Sequence, residues 1–301
     1  MQTLSFYYKN PKILGNVILN RFCRWMPDEA YLRIKYRMWM GKPLDLRNPR
    51  TFGEKLEWLK LYNRKPEYTI LVDKVKVKDY VAPIIGEKYL IPTLGVWDDP
   101  EKIDFDSLPD RFVIKCNHNS GLGMYICKDK SKMDVEKVKS GLMKGLKQDY
   151  YIASREWPYK NVPRRILAEQ FIDPPKGSQD LPDYKWYCFN GEPKFCQVIQ
   201  DRNTCETIDF FDVEWRHQNF IGLNKKAGNA KITPSRPAHI EEHLAIARKL
   251  SKGIPFARID LYETEDRPYF GEVTFFPNGG FGSFRPAEYN EILGSMICLP
   301  K

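Results

Sequence analysis

The chain has 301 residues, a net charge of +9, 42% hydrophobic and 14% aromatic residues. This excludes a disordered chain and leaves ample core for one large domain or two to three subdomains. No run approaches the ~18 apolar residues that cross a bilayer. The N-terminus, MQTLSFYYKNPKILGNVILNRF, lacks a basic segment leading into an apolar one and a small-residue cleavage site, so no export and a cytoplasmic location are expected. Seven cysteines without a C-x-x-C, and four histidines without paired Cys/His spacing, argue against zinc and for a reducing compartment. The positive charge draws anions such as nucleic acid, anionic lipid or acidic sugars, without choosing between them.

Residues 1–110 read as a helical, basic region. Pro27-Asp28-Glu29 opens a helix, with proline in the first turn and acids at its positive end. Ala30, Ile34 and Met38 are expected on its buried face, and Gly41 ends it. Thr51-Phe-Gly-Glu54 fits a capping box, followed by Phe52, Leu56 and Leu59 at helical spacing. Asp73 to Ile85 reads as a third helix, with Val77, Tyr80, Val81 and Ile84 as its apolar stripe and Gly86 as its stop. The aromatics of residues 1–40 (Tyr7, Tyr8, Phe22, Trp25, Trp39) stand among Lys and Arg. They leave two readings open, core packing or peripheral contact with an anionic membrane.

Residues 111–172 read as a small sheet subdomain. Arg111 to Cys116 and Met124 to Cys127 are strand-like, and between them lies the polar glycine loop Asn117-His-Asn-Ser-Gly-Leu-Gly123. Lys115 beside that loop suits a phosphate cradle, because glycine lets backbone N–H groups approach the oxygens and lysine adds charge. The loop is not a P-loop, since no G-K-[ST] opens a helix, and a plain hairpin is the competing reading. Met133 to Tyr151 reads as one lysine-rich helix, and Ile166 to Ile172 as the next strand.

Residues 173–301 hold the larger sheet. Tyr184–Phe189 and Pro193–Ile199 flank an Asn190-Gly191 turn and form a hairpin, with Lys185 inside its first strand. Thr207 to Trp215 reads as a strand and Ile240 to Gly253 as an amphipathic helix with Leu244, Ala247 and Leu250 on its face. Two further strands follow, Pro255–Leu261 and Pro268–Phe276, joined by the turn Thr264-Glu-Asp-Arg267. Each carries one acid inside an apolar run, Asp260 and Glu272. A buried carboxylate is costly unless paired or metal-bound. Two oxygen ligands of this kind suit Mg²⁺ that also holds phosphates; salt bridges to Arg258 and a lysine are the other reading. If the acids face one another without metal they repel, so replacing either by its amide is expected to leave folding intact.

Together these elements resemble the ATP-grasp fold, an α+β architecture of two sheet subdomains clasping a nucleotide. The resemblance rests on Lys115 with the Asn119–Gly123 loop, on Ala168-Glu169-Gln170-Phe171-Ile172, and on Arg258-Ile-Asp260 followed by Glu272-Val-Thr274. TFGEKLEWLKLY, VDKVKVKDYV, DYKWYCFNGEPKF and GEVTFFPNGGF are similar to the TupA-like subgroup of teichuronopeptide biosynthesis. The resemblance implies ATP and one or two Mg²⁺ ions. It implies nucleotide contacts from Lys74, Lys115, Asn119, Ser120, Gly121, Gly123, Glu169, Gln170, Phe171 and Ile172. It implies metal ligation by Asp260 and Glu272, with Thr274 standing where many relatives have Asn and Asn278 as a further oxygen. It implies catalytic charge from Arg258, Lys115 and Lys185, and substrate contacts from Lys185, Arg202, Arg258, Gly279 and Gly280. The reaction implied is ATP-dependent amide formation between a carboxylate and an amine through an acyl phosphate. The substrates implied are an acidic sugar or amino acid and an amine, at the inner face of a bacterial envelope and in the building of a surface polysaccharide.

Two other function classes compete. A glycosyltransferase of the same pathway would use a sugar nucleotide, and Asp104-Phe-Asp106 has the D-x-D spacing of such enzymes. A nucleic-acid binder would use the basic charge, but no aromatic-basic strand signature is present, and no nucleic-acid partner is expected. Oligomeric state is not legible.

Overall fold

The computed structural model describes residues 11–176, 181–200, 206–224 and 227–300. Helices α1 (Pro11–Phe22) and α2 (Asp28–Met40) form an N-terminal pair. Gly41 ends α2 in the left-handed region, as a helix C-terminus favours. The buried face of α2 is Tyr31, Leu32, Lys35 and Tyr36, not Ala30, Ile34 and Met38. Two tyrosines and a lysine stem cover more apolar area than alanine offers. They pack with Leu19, Leu44 and Leu46, and Ala30 and Ile34 turn to solvent.

Helix α3 (Phe52–Tyr62) starts at the expected capping box: Thr51 accepts from the Glu54 N–H and Glu54 answers to the Thr51 N–H. Helix α4 (Glu67–Val72) follows, too short to show a period in sequence. Helix α5 runs from Lys76 to Ile85, because Asp73 stays outside it and accepts from the N–H groups of Val75 and Lys76. Val77 and Val81 are buried, whereas Tyr80 is exposed.

A four-stranded antiparallel sheet has the order β1-β4-β2-β3, with β1 at Thr93–Trp97, β2 at Phe112–Cys116, β3 at Tyr125–Cys127 and β4 at Ile166–Gln170. The sheet therefore begins well before residue 111, with β1 on the free edge of β4. The lysine-rich segment forms two helices, α6 (Val135–Leu146) and α7 (Tyr150–Ser154), rather than one. Helix α6 caps itself on Asp134 and runs very close to the glycine loop. A Cβ on Gly145 would stand 2.6 Å from Cys116 Sγ and 2.9 Å from Leu122 O.

A five-stranded antiparallel sheet has the order β10-β9-β5-β6-β7, with β5 at Asp183–Phe189, β6 at Glu192–Gln200, β7 at Thr207–Asp212, β9 at Phe256–Glu263 and β10 at Pro268–Thr274. The Asn190-Gly191 hairpin forms as expected, both residues at positive φ. Strand β7 stops at Asp212, whose carboxylate accepts from the N–H groups of Glu214 and Arg216 and turns the chain. A short pair, β8 (Ile221–Gly222) and β11 (Phe284–Arg285), lies apart from this sheet. Helix α8 (Ile240–Ser251) covers one face of the large sheet, with Ala247 and Leu250 buried. Helix α3 and the final helix α9 (Tyr289–Ser295) share the same large core, in which Phe52 meets the rings of Phe256, Phe284 and Tyr187. Among the described residues no helix is long and apolar enough to cross a membrane.

Candidate active site

Strands β9 and β10 bring Asp260 and Glu272 together. They are directly paired across the ladder, as are Arg258 and Thr274. A bulge at Gly271 makes this possible. Without the extra residue Glu272 would pair with Ile259 and point to the other face, since side chains alternate along a strand. A Cβ on Gly271 would sit 3.0 Å from Asp260 O. A glycine inside an apolar strand is the sequence signal for such a bulge.

The two acids sit in different surroundings. Asp260 is 2% exposed. Arg258 grips both its oxygens, at 2.6 and 2.7 Å, and Lys185, placed opposite on β5, adds a contact of 2.5 Å. Lys185 also pairs with Asp183 at 2.5 Å. Glu272 keeps 35% of its side chain exposed and faces a cleft, with Lys74 at 3.5 Å and Arg258 at 3.6 Å. Burial pushes its pKa up, but Lys74, Arg258, Lys185 and Lys115 outweigh it and hold it at about 2. Thr274 lies between, accepting from Arg258 at 3.1 Å.

Lys74 is positioned by a junction that sequence reasoning only half saw. Asn117 donates to Asp73 at 2.8 Å, which fixes the start of the lysine segment against the glycine loop. Lys74 then donates to Asn119 O at 2.8 Å. The Asn119 side chain is buried and turned away, toward Gly145 O. Of the loop, Ser120 lines the cleft, while Ser120, Gly121 and Leu122 are exposed.

Lys115 does not stand free. It meets Glu169 Oε2 at 2.5 Å, and Lys78 meets Oε1 at 2.6 Å. Burial raises the pKa of Glu169, but the two lysines more than offset it and leave it lowered. Gln170, Phe171 and Ile172 follow at the exposed end of β4, and Phe171 lies under Arg111. None of these residues lines the cleft itself, but the charge of Lys115 still reaches Glu272.

The cleft has a volume of about 420 Å³. Its floor is the Pro277-Asn278-Gly279-Gly280 turn, in which Asn278, Gly279 and Gly280 all take positive φ. A buried ion pair of α3 holds this turn from beneath. Lys60 bonds Glu57 at 2.8 Å, Ser154 O at 3.0 Å and Gly279 O at 2.6 Å. A Cβ on Gly280 would come within 2.1 Å of Glu57 Oε1. Gly279 lines the cleft and Gly280 is buried against Glu57. Sequence reasoning missed Glu57 and Lys60, although two charges three apart on the core face of a helix signal a buried pair.

Arg202 lies outside the described residues. Asp104 accepts from the N–H groups of Asp106 and Ser107, so the D-x-D spacing here makes an exposed turn away from the cleft. Among the described residues no three Asp, Glu, His or Cys side chains converge as a complete metal cage. Mg²⁺ commonly takes one or two carboxylates and draws its other oxygens from phosphates and water, and the donors present fit that pattern. Glu272 and Thr274 present oxygens to the cleft; Asn278 lines it with its amide nitrogen donating to Leu223 O. Asp260 is the poorer donor, because Arg258 and Lys185 occupy its oxygens.

Strands β9 and β10 of the five-stranded sheet, with Ser120 from the glycine loop that follows β2 of the smaller sheet, thus line one cleft with cations and carboxylates, as in an ATP-grasp protein. The TupA-like ATPgrasp family profile matches residues 54–298, and the chain belongs to that family. No curated protein matches the sequence. Among solved structures, the chain is similar to D-alanine–D-alanine ligase from Bacillus anthracis complexed with ATP, at 18% identity and TM-score 0.40, covering 69% of this chain and 55% of that one. It is similar to the corresponding ligase of Helicobacter pylori at 16% identity and TM-score 0.44, covering 83% and 69%. It is also similar to the ATP-grasp ligase PsnB complexed with its minimal precursor, at 11% and 0.40, covering 81% and 68%. Likenesses of that size do not bear on what the chain acts on.

Proposed function

We propose that this protein is an ATP- and Mg²⁺-dependent carboxylate–amine ligase. The observation that carries the reading is the convergence of Lys74, Ser120, Arg258, Glu272 and Thr274 on one cleft. Anionic phosphates suit Lys74 and the exposed backbone of the glycine loop, with Lys115 beside them and the Glu169–Ile172 segment as the base-reading edge. Mg²⁺ bound at Glu272 and Thr274, with Asp260 behind them as the poorer donor, would supply positive charge to the phosphates. Arg258 is aimed where charge develops on the moving phosphoryl group. A carboxylate oxygen takes the terminal phosphoryl and ADP leaves. The amine then attacks the acyl carbon, the C–N bond forms, and phosphate departs with the C–O electrons. No protein nucleophile is required.

The carboxylate or amine belongs to a surface polysaccharide or its precursor in this reading, which the TupA-like family and the chain's basic charge support. ATP hydrolysis screened over amino acids and uronic acids tests it. ADP and phosphate release that needs one acid and one amine is the expected result. Turnover of a UDP-sugar without ATP would establish the transferase reading in its place.

A peripheral membrane contact accompanies catalysis. Leu14, Val17, Ile18 and Phe22 form an exposed apolar stripe on α1, with Trp25 beyond it. Residues 11–27 contain Lys12, Arg21 and Arg24 and no acid, as an interfacial helix at an anionic surface requires.

A further inference from the structure

The cleft continues past Glu272 to an end walled by the N-terminal helices, which lie outside the family-matched residues 54–298. There Asn16 Oδ1 and Trp39 Nε1 are buried and hydrogen-bond nothing. Each pays for desolvation without a bond, a debt that a polar ligand would relieve. Lys35 lines the same cleft, 6% exposed, donating to Ala153 O and lying 5.1 Å from the Phe281 ring. Glu156 lines the same cleft and is 4% exposed. Ser154 donates to its Oε1 at 2.6 Å, and it feels the charges of Lys35 and of Glu272.

A cation with a free N–H donor on the N-terminal helices, and an acid that feels both that cation and Glu272, are a set of charges that a zwitterion matches. We infer that this end is the subsite for the amine-bearing substrate, and that this substrate is an amino acid held by its own carboxylate. Lys35 and the Trp39 N–H take the carboxylate, Glu156 takes the ammonium, and Asn16 accepts from a donor of the substrate. The inference rests on the ligase reading for the direction of attack. One ammonium proton passes to Glu156 and the nitrogen lone pair attacks the acyl carbon. The C–O bond to phosphate breaks, and the departing phosphate takes the second proton.

The test uses thermal melts of the full chain with Mg-ATP, with a panel of L- and D-amino acids, with their methyl esters, and with glucuronate and galacturonate. At least one amino acid raises the wild-type melting temperature, and its methyl ester does not. Lys35→Met and Trp39→Phe lose that shift and keep the Mg-ATP shift; Trp39→Phe retains the ring if Lys35→Met fails to fold. Glu156→Gln lowers kcat by about a hundredfold or more, as loss of a positioned base does. An amino-acid shift that survives in both Lys35→Met and Trp39→Phe overturns the placement. Stabilisation by the uronates alone, or by nothing in the panel, overturns the substrate class. A wild type that responds to amino acids and not to Mg-ATP supports the subsite and refutes the ligase.

Discussion

Glu272 stands directly opposite Asp260, on the same sheet face, because the strand between Phe270 and Glu272 carries one extra residue. The two carboxylates are neighbours in register but not in role. Asp260 is sealed behind Arg258 and Lys185, while Glu272 opens on the cleft. A face shared by two acids is thus stabilised by two cations.

Gly271 is the residue on which this depends. A methyl group there meets the Asp260 carbonyl at 3.0 Å, and backbone cannot yield as a side chain can. Gly271→Ala is expected to destabilise the protein by about 1–3 kcal/mol, the usual cost of overpacking. It should also reduce Mg²⁺-dependent ATP turnover more than the melting shift alone explains. A melt and a rate assay on the same sample check both; an unchanged variant would show that the ladder tolerates the added atom.

Asp260 and Glu272 should respond differently to neutralisation. The sequence alone predicts that either amide leaves folding intact, because two bare carboxylates repel. The repulsion is already cancelled: Arg258 holds Asp260 in two bonds and Lys185 in a third. Asp260→Asn takes the bidentate carboxylate from the buried Arg258, while Lys185 keeps Asp183; breaking a buried pair in this way costs about 3–5 kcal/mol. Glu272→Gln acts at a part-exposed position where solvent screens the loss, so folding survives and Mg²⁺ dependence is lost. Urea titrations of the two variants side by side decide it.

Much of this arrangement was legible in the sequence. The capping box at Thr51, the Asn190-Gly191 hairpin and the two acid-bearing strands follow from local chemistry, and the structure has them. Side-chain partners were less legible, since they are set by contacts between distant segments. Lys115 beside a glycine loop reads as a free phosphate ligand until Glu169, 54 positions later in sequence and on the adjacent strand, takes it. Strand β1 and helix α4 are too short to show a period. Lys35 reads as one more surface lysine, because nothing local says that Tyr31 and Tyr36 turn its helix face inward.

The apolar stripe of α1 predicts binding to anionic vesicles. Phe22 is 64% and Trp25 80% exposed, so their replacement costs little core. The protein is expected to float with vesicles containing phosphatidylserine and to remain behind with phosphatidylcholine alone. Phe22→Ser with Trp25→Ser should abolish flotation and change the unfolding free energy by no more than about 1 kcal/mol, as surface substitutions usually do. Equal flotation of wild type and double variant would remove the membrane role.

Lys35 gives the site a pH signature. Burial, and then the neighbouring charge of Lys60, lower its pKa to about 8. Glu57 from α3 and Glu156 beside α7 pull it back up, Arg155 opposes them, and the rings of Tyr31 and Phe281 complete its surroundings. The sign follows from which form each state prefers. The folded chain releases this proton earlier than the unfolded chain does. Lys35 therefore opposes folding while charged, and stability rises with pH between about 8 and the ordinary lysine range. Binding runs the other way, because an amino-acid carboxylate needs the charged form. KM for the amino acid should climb as pH passes about 8, while KM for ATP, whose proposed contacts are at the Lys74 end, should follow a different profile. Lys35→Arg keeps its charge through that range and should flatten the climb. A KM that rises equally in wild type and in Lys35→Arg would assign the pH dependence to another group.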